Sequence, residues 1–212
     1  IGEDVVQTDP NSAHVAKAMN ALDLLVVQEI FLSETAKHAD VVLPGTTFLE
    51  KDGTFTNTER RVQRVNRAAE PLPGTKPDGV IVTDMMQKLG YDQKTYDADE
   101  VLAEIADVVP FFKGITRERL GKLGLQWPVK EDGTDTKILH QKEFKLGKGR
   151  IKYFDWKESS ELEKNKKEYP LILTTSRVLQ HYNAATMTKR TKNIKIVDED
   201  VLLIHPKDAK YR

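Results

Sequence analysis

The sequence predicts an α/β fold built on a parallel sheet, and three observations predict it. Residues 24–27 are a short unbroken apolar run, the pattern of a strand covered on both faces, and 40–43 read as a second buried strand. Segments with helical spacing precede and separate these runs. The order helix, strand, helix, strand then calls for right-handed crossovers within one α/β layer.

Each element has its own signal. Asp9-Pro10 opens a helix, because Asp caps free amides and Pro suits the first helical position. Val15, Met19 and Leu22 recur along it as a stripe to be buried. Residues 33–39 read as a short helical turn capped by Ser33, and Pro44-Gly45 stops the second strand. Lys51-Asp52-Gly53 marks a turn, and 54–57 has the composition of an extended segment. Pro71, Pro73, Gly74 and Pro77 form a connector. Asp78 then caps a helix carrying Val82, Met85, Met86 and Leu89 that ends at Gly90. Residues 98–109 predict another helix with Val101, Leu102, Ile105 and Val108 facing inward, stopped by Pro110.

From 111 to 149 the signals weaken to an irregular connection with one short helix over 117–123. Residues 157–168 are a charge run, read as a solvated linker or exposed helix. Beyond it, 171–175 and 201–204 predict strands, and His205-Pro206 starts a helix. A boundary near residue 165 follows, giving domains over 1–165 and 166–212. The second is too small to bury a core alone, and the chain reads as incomplete at both ends.

Composition narrows the function classes. Of 212 residues, 39% are apolar and 31% charged, which suits a globular protein. Lysine plus arginine and aspartate plus glutamate balance at 33 each, which removes the electrostatic case for a nucleic-acid partner. No apolar run reaches the roughly 20 residues of a membrane span, so none is expected. With no cysteine, the chain offers no thiolate for an iron–sulfur cluster, a disulfide or nucleophilic catalysis. No leader peptide stands at the start, and a cytoplasmic location is expected.

Phosphate loops, G-x-G-x-x-G, H-E-x-x-H and serine-triad spacings are all missing. Interest falls on polar groups at strand ends, because open α/β sheets bind ligands outside the carboxyl ends of their strands. Gln28-Glu29 follows the first strand, where a carboxylate accepts hydrogen bonds from ribose hydroxyls or a guanine edge. The competing reading has Glu29 pairing locally. Lys51, beside a tight turn, suits a phosphate oxygen or a pterin carbonyl, against the reading of an ordinary solvated lysine. Arg60, Arg61, Arg64 and Arg67 are expected to make salt bridges and interdomain contacts rather than one anion site.

Residues 174–190 form the densest polar stretch. A strand running into Thr, Ser, Arg, His and Asn supplies donors for an oxygen-rich ligand such as a pyrophosphate. His181 is open between general base, metal ligand and hydrogen-bond donor, with no second ligand at metal spacing.

Four segments carry a resemblance: VVQEIFLSETA at 26–36, ADVVLP at 39–44, EKDGTFTNTERRVQ at 50–63 and SRVLQHYN at 176–183. Together they resemble the molybdopterin oxidoreductase superfamily, and specifically the catalytic subunit of formate dehydrogenases. The resemblance implies a Rossmann-like parallel-sheet domain, followed by the beginning of a double-psi type β-barrel that binds molybdopterin dinucleotide. It implies a bis-(molybdopterin guanine dinucleotide) cofactor with molybdenum or tungsten. By that likeness Gln28, Glu29 and Ser33 contact one guanine nucleotide and Lys51 and Asp78 face the same cofactor. Thr175, Ser176, Arg177, Val178, Leu179, His181 and Asn183 then wrap pterin and phosphate groups. Glu29 departs from the family's usual Asp by one methylene.

The metal-ligating residue, the active-site histidine and arginine, and the iron–sulfur cysteines of the family belong to sequence upstream of Ile1. No catalytic or metal-ligating residue is therefore assigned within the chain, which alone is expected to be inactive. The implied reaction is two-electron oxidation of formate to carbon dioxide, with electrons leaving through an iron–sulfur cluster to a partner subunit or carrier. The alternatives are a related molybdopterin reductase such as a nitrate reductase, and a non-catalytic cofactor-binding or assembly module.

Overall fold

A computed structural model describes residues 1–210, which form two compact units, Ile1–Lys145 and Leu146–Arg212. The division falls before the charge run at which the sequence places its boundary.

The first unit opens with α1 (Val5–Thr8) and α2 (Ser12–Met19). Asn11, not Asp9, caps α2: it sits in the left-handed region at φ 60° and its side chain accepts from the His14 amide at 3.3 Å. The stripe of Val15, Met19 and Leu22 is not buried, since no residue of α2 is and Leu22 is exposed. The predicted parallel pair is present as β1 (Val26–Glu29) and β2 (Val41–Pro44), with Val26 opposite Val41 and Glu29 opposite Pro44. Its faces are less covered than the apolar runs imply: Val27 is buried, but Val26, Val41 and Val42 are exposed. Between the strands Thr35–His38 makes a 3-10 turn, and on the other side of β1 the Gly2 amide donates to the Gln28 carbonyl at 2.9 Å.

A three-stranded antiparallel sheet follows, formed by β3 (Gly53–Thr56), β4 (Arg61–Val65) and β5 (Leu125–Gln126). Next come α3 (Asp78–Lys88) and α4 (Ala98–Val108). Helix α3 ends as its sequence demands. Gly90 takes φ 88°, its amide returns to Gln87 at 3.1 Å and the Tyr91 amide to Met86 at 3.0 Å, which closes the helix's free carbonyls. Its buried residues are Ile81 and Thr83, whereas Val82, Met85 and Leu89 are exposed. In α4 the Asp97 side chain caps the amides of Asp99 and Glu100 at 2.8 and 3.0 Å. Leu102 and Ala106 face the interior, and Val101, Ile105 and Val108 are exposed rather than inward.

The core lies where the sequence signals are weakest. Val62 and Leu102 pack with Ile115, Leu120 and Val129, and Phe112, Leu125 and Trp127 close around them. Ile115, Leu120, Val129 and β5 come from the stretch read as irregular, which also carries α5 (Arg117–Leu120). Period-based reading misses such a core because its residues are scattered singly over turns.

The second unit contains α6 (Ser160–Asn165), 3-10 turns at Thr188–Arg190 and Lys192–Lys195, and α7 (Pro206–Ala209), capped by His205. The exposed α6 matches the reading of the charge run. Residues 171–175 and 201–204 form no strand, correcting the sequence reading. Leu173 and Leu203 are exposed. A strand exists through the ladder of its neighbours, and no ladder is present in this unit among the described residues.

Candidate functional site

Three of the residues singled out in the sequence meet at the carboxyl end of β1. Gln28 is 3% exposed, and its Nε2 donates to Asp78 Oδ1 at 2.6 Å. Lys51 Nζ donates to Asp78 Oδ2, making an ion pair between half-buried side chains. The Asp78 carboxylate is thus held from two sides, by an amide and an ammonium.

Local structure brings each of them there. Gln28 comes from a strand bonded on both edges, to Gly2 and to β2. Lys51 follows a 3-10 turn, Phe48–Glu50, locked by a capping box. Glu50 Oε2 accepts from the Thr47 amide at 2.8 Å and Glu50 Oε1 from the Leu72 amide at 3.1 Å. Those bonds, the Thr47 amide first, hold the half-buried Glu50 carboxyl below its ordinary value. Asp78 does not cap α3, as the sequence suggested. Pro77 occupies the cap position, and Asp78 is the first helical residue with its side chain turned to Gln28 and Lys51. Gly45, at the end of β2, backs the carboxylate, since a Cβ there would meet Asp78 Oδ1 at 3.3 Å.

Electrostatics follow from this packing. Burial pushes the Asp78 carboxyl up, but the hydrogen bonds from Lys51 and Gln28 and the Lys51 charge outweigh it and hold the group below its ordinary value. Tyr96 is pushed the other way, by burial first and then by the charges of Asp78, Asp97 and Asp99. The Tyr96 ring lies over Gly79, where a Cβ would come within 2.2 Å of it. Lys51, Asp78 and Tyr96 line one cleft of about 190 Å³ with Phe48, Phe55 and Ile105.

Other predicted residues stand apart. Neighbouring strand residues point to opposite faces, and Glu29 Oε1 turns back to accept from the Ile30 amide at 2.7 Å, the local pairing weighed as its alternative. Ser33 is buried, and its Oγ accepts from the Ala36 amide at 3.2 Å. In the second unit Thr175, Ser176, Arg177, Val178 and Leu179 lie on an exposed segment outside any helix or strand. His181 ties a loop together: Nε2 lies 2.7 Å from the Val197 carbonyl and Nδ1 3.1 Å from Thr188 Oγ1. A carbonyl only accepts, so Nε2 carries a proton, and the donor role is the one of its three roles that this geometry shows. Asn183 adopts the left-handed region at φ 51°.

Among the described residues no cluster of three or more His, Cys, Asp or Glu could hold a metal ion, and no helix is long and apolar enough to cross a membrane. Of the four arginines, Arg60 is a structural clamp. It donates to the carbonyls of Trp127, Thr136 and Lys137, and its guanidinium lies 5.7 Å from the centre of the Trp127 ring. Arg61 and Arg67 pair with Glu59 and Glu70 at 3.5 and 3.4 Å, and Arg64 bonds to Asn66.

Sequence reasoning missed Asp4, Thr46 and Tyr96. Asp4 is buried, and its Oδ1 accepts from the Thr35 amide and hydroxyl at 2.9 and 2.7 Å. Thr46, 2% exposed, has a hydroxyl with no partner. Its position directly after a strand's Pro44-Gly45 stop was a usable signal. Tyr96 stands in a polar stretch without periodicity and offered none.

Residues 1–88 match the model of the molybdopterin oxidoreductase family. The F420-dependent formate dehydrogenase subunit alpha of Methanocaldococcus jannaschii is 46% identical over 99% of this chain and 32% of its own length. A putative formate dehydrogenase of Staphylococcus haemolyticus is 42% identical over 100% of this chain and 22% of its own. The chain therefore spans about a third or less of the curated relatives it matches. Among solved structures, acetylene hydratase from Pelobacter acetylenicus shares the fold, with a TM-score of 0.59 at 21% identity over all of this chain and 31% of that one. Over residues 1–88 the chain matches the molybdopterin oxidoreductase family, and along its whole length it is similar to formate dehydrogenase alpha subunits.

Proposed function

We propose that this chain is the part of a formate dehydrogenase large subunit that binds a bis-(molybdopterin guanine dinucleotide) cofactor carrying molybdenum or tungsten. The observation that carries the reading is the convergence of Gln28, Lys51 and Asp78 at the carboxyl end of a parallel strand, where α/β sheets bind nucleotides. In this reading the first unit is a Rossmann-like layer and the second the beginning of the double-psi type barrel, with the boundary near residue 165.

The residues fit such a group chemically. Gln28 and Lys51 offer an acceptor and a cation beside a close backbone approach at Gly45, and the buried Thr46 hydroxyl is unpaired nearby in sequence. Glu29 and Ser33 complete the guanine nucleotide's contacts. Thr175, Ser176, Arg177, Val178, Leu179, His181 and Asn183 offer donors to pterin and phosphate groups, and no hydrogen bond within the described residues occupies the backbone amides of 175–179.

When bound, the cofactor supplies the two-electron chemistry, in which formate leaves as carbon dioxide, one proton and two electrons. This chain's residues bind and orient. Lys51 faces anionic or carbonyl oxygen, Gln28 faces a donor edge, and Phe48, Phe55 and Ile105 offer apolar surface to a ring in the same cleft as Lys51. The catalytic residues and an iron–sulfur cluster then lie in other sequence, and the chain alone is inactive. The names of the methanogen relatives make an F420-type carrier the electron acceptor to test first. The enzyme is placed in the cytoplasm.

The full-length large subunit, loaded with cofactor and prepared without oxygen, is expected to reduce a viologen dye with formate. Loaded protein that ignores formate and turns over nitrate contradicts the formate reading. Protein that never acquires pterin contradicts cofactor binding altogether and favours an assembly role.

A further inference from the structure

The second unit carries one segment whose backbone and charges are both without partners. Residues 147–157 belong to no helix or strand, and their amides and carbonyls make no hydrogen bond among the described residues. Ile151, Tyr153, Phe154 and Trp156 are each 79% exposed or more. These residue types favour strands, because they suit a pleated, half-covered surface. Large apolar side chains and unpaired backbone groups standing in water together mark a strand that lacks its neighbour.

Charge says what that neighbour carries. Lys148, Arg150 and Lys152 recur at every second residue, so an extended chain sets all three on one face, followed there by Phe154 and Trp156. The stretch 147–157 holds a single acid, Asp155, on the opposite face. None of the three cations has an ion-pair partner among the described residues. The whole chain balances 33 cations against 33 anions, so this run is a local excess and not part of a basic surface. A second copy of the chain does not fit, since self-pairing sets lysine and arginine against one another, and like charges opposed across a ladder destabilise it. A lipid surface does not fit either, because segments lying in a membrane interface satisfy their backbone as helices, and this one forms none.

We infer that residues 148–156 are a docking strand, which adds to the free sheet edge of an acidic partner protein carrying Asp or Glu at alternate positions. Ladder hydrogen bonds supply the attachment, and the three alternating cations set its register and its choice of partner. The docking strand uses no residue assigned to the cofactor, so it stands or falls apart from that reading.

The probe is a synthetic β-hairpin whose free edge carries three glutamates at alternate positions. It is added at low ionic strength to the cofactor-loaded, full-length large subunit. Amide hydrogen exchange of residues 148–156 is followed by mass spectrometry, and affinity by anisotropy of the labelled hairpin. The segment is expected to exchange without protection in the subunit alone, and at least about tenfold more slowly with saturating hairpin. A scrambled peptide of the same composition has no edge to offer and is expected to leave exchange unchanged. The triple variant Lys148→Glu, Arg150→Glu, Lys152→Glu is expected to bind the hairpin about tenfold more weakly, the scale of three cross-strand ion pairs. It should then prefer the same hairpin with lysines in place of its glutamates. Ile151→Pro with Phe154→Pro keeps every charge but takes one ladder amide from each edge of the strand, and it too is expected to lose about tenfold.

Protection of the segment in the subunit alone overturns the proposal, because a strand already paired from within docks nothing. Equal slowing by the scrambled peptide, or undiminished binding by the proline variant, reduces the effect to charge and overturns it as well. Slowing by phosphatidylserine vesicles or a single-stranded oligonucleotide in place of the hairpin does so in favour of another partner. Should the charge-reversed protein not fold, the proline variant decides alone.

Discussion

Asp78 stays charged while partly buried because Lys51 and Gln28 repay what desolvation costs. Its folded value lies below the ordinary one, so its contribution to stability is fully present above the unfolded value, about 3.9, and is lost as pH falls through the folded one. The unfolding midpoints of wild type and Asp78→Ala are therefore expected to differ by a constant amount between about pH 5 and 8 and to converge below about pH 4. A gap that persists unchanged into strong acid contradicts this ion pairing. Arg60 makes a separate case at the same scale. Its three carbonyl partners are a structural commitment that a lysine cannot reproduce, since an ammonium lacks the planar fork. Arg60→Lys is expected to cost about 1–3 kcal/mol in urea unfolding, with no added effect on pterin retention. Equal stability of the two proteins rules the clamp out.

At the scale of elements, legibility followed local chemistry. The Pro110 stop after α4 and the glycine end of α3 were readable because a few neighbouring residues decide them. Asp97→Ala is accordingly expected to cost about 1 kcal/mol through the two amides it frees, measured as a lower unfolding midpoint. The parallel pairing of β1 and β2 was readable from unbroken apolar runs. The same signal failed for residues 171–175 and 201–204, whose composition is right but whose partners are absent among the described residues. Strand propensity describes a surface to be covered, and only a neighbour converts it into a strand. Site residues divided in the same way. Strand-end logic found Gln28, and the resemblance pointed to Lys51 and Asp78. The local bond of Glu29 and the role of Tyr96 depend on packing that no spacing encodes.

For the whole molecule, the first unit stands on a small core that joins β4 and α4 to the stretch from 112 to 129. Ile115 is 1% exposed, so Ile115→Ala is expected to cost about 2–5 kcal/mol and to loosen the hairpin that follows Lys51. Pterin retention should then fall together with stability. The central claim, that this fold exists to hold a pterin dinucleotide, is tested most directly by acid hydrolysis of the anaerobically purified holoprotein with its metal content measured alongside. The account predicts guanine nucleotide and molybdenum or tungsten in the two-to-one ratio that a bis-dinucleotide cofactor carries. Metal-free protein that releases no guanine nucleotide contradicts it.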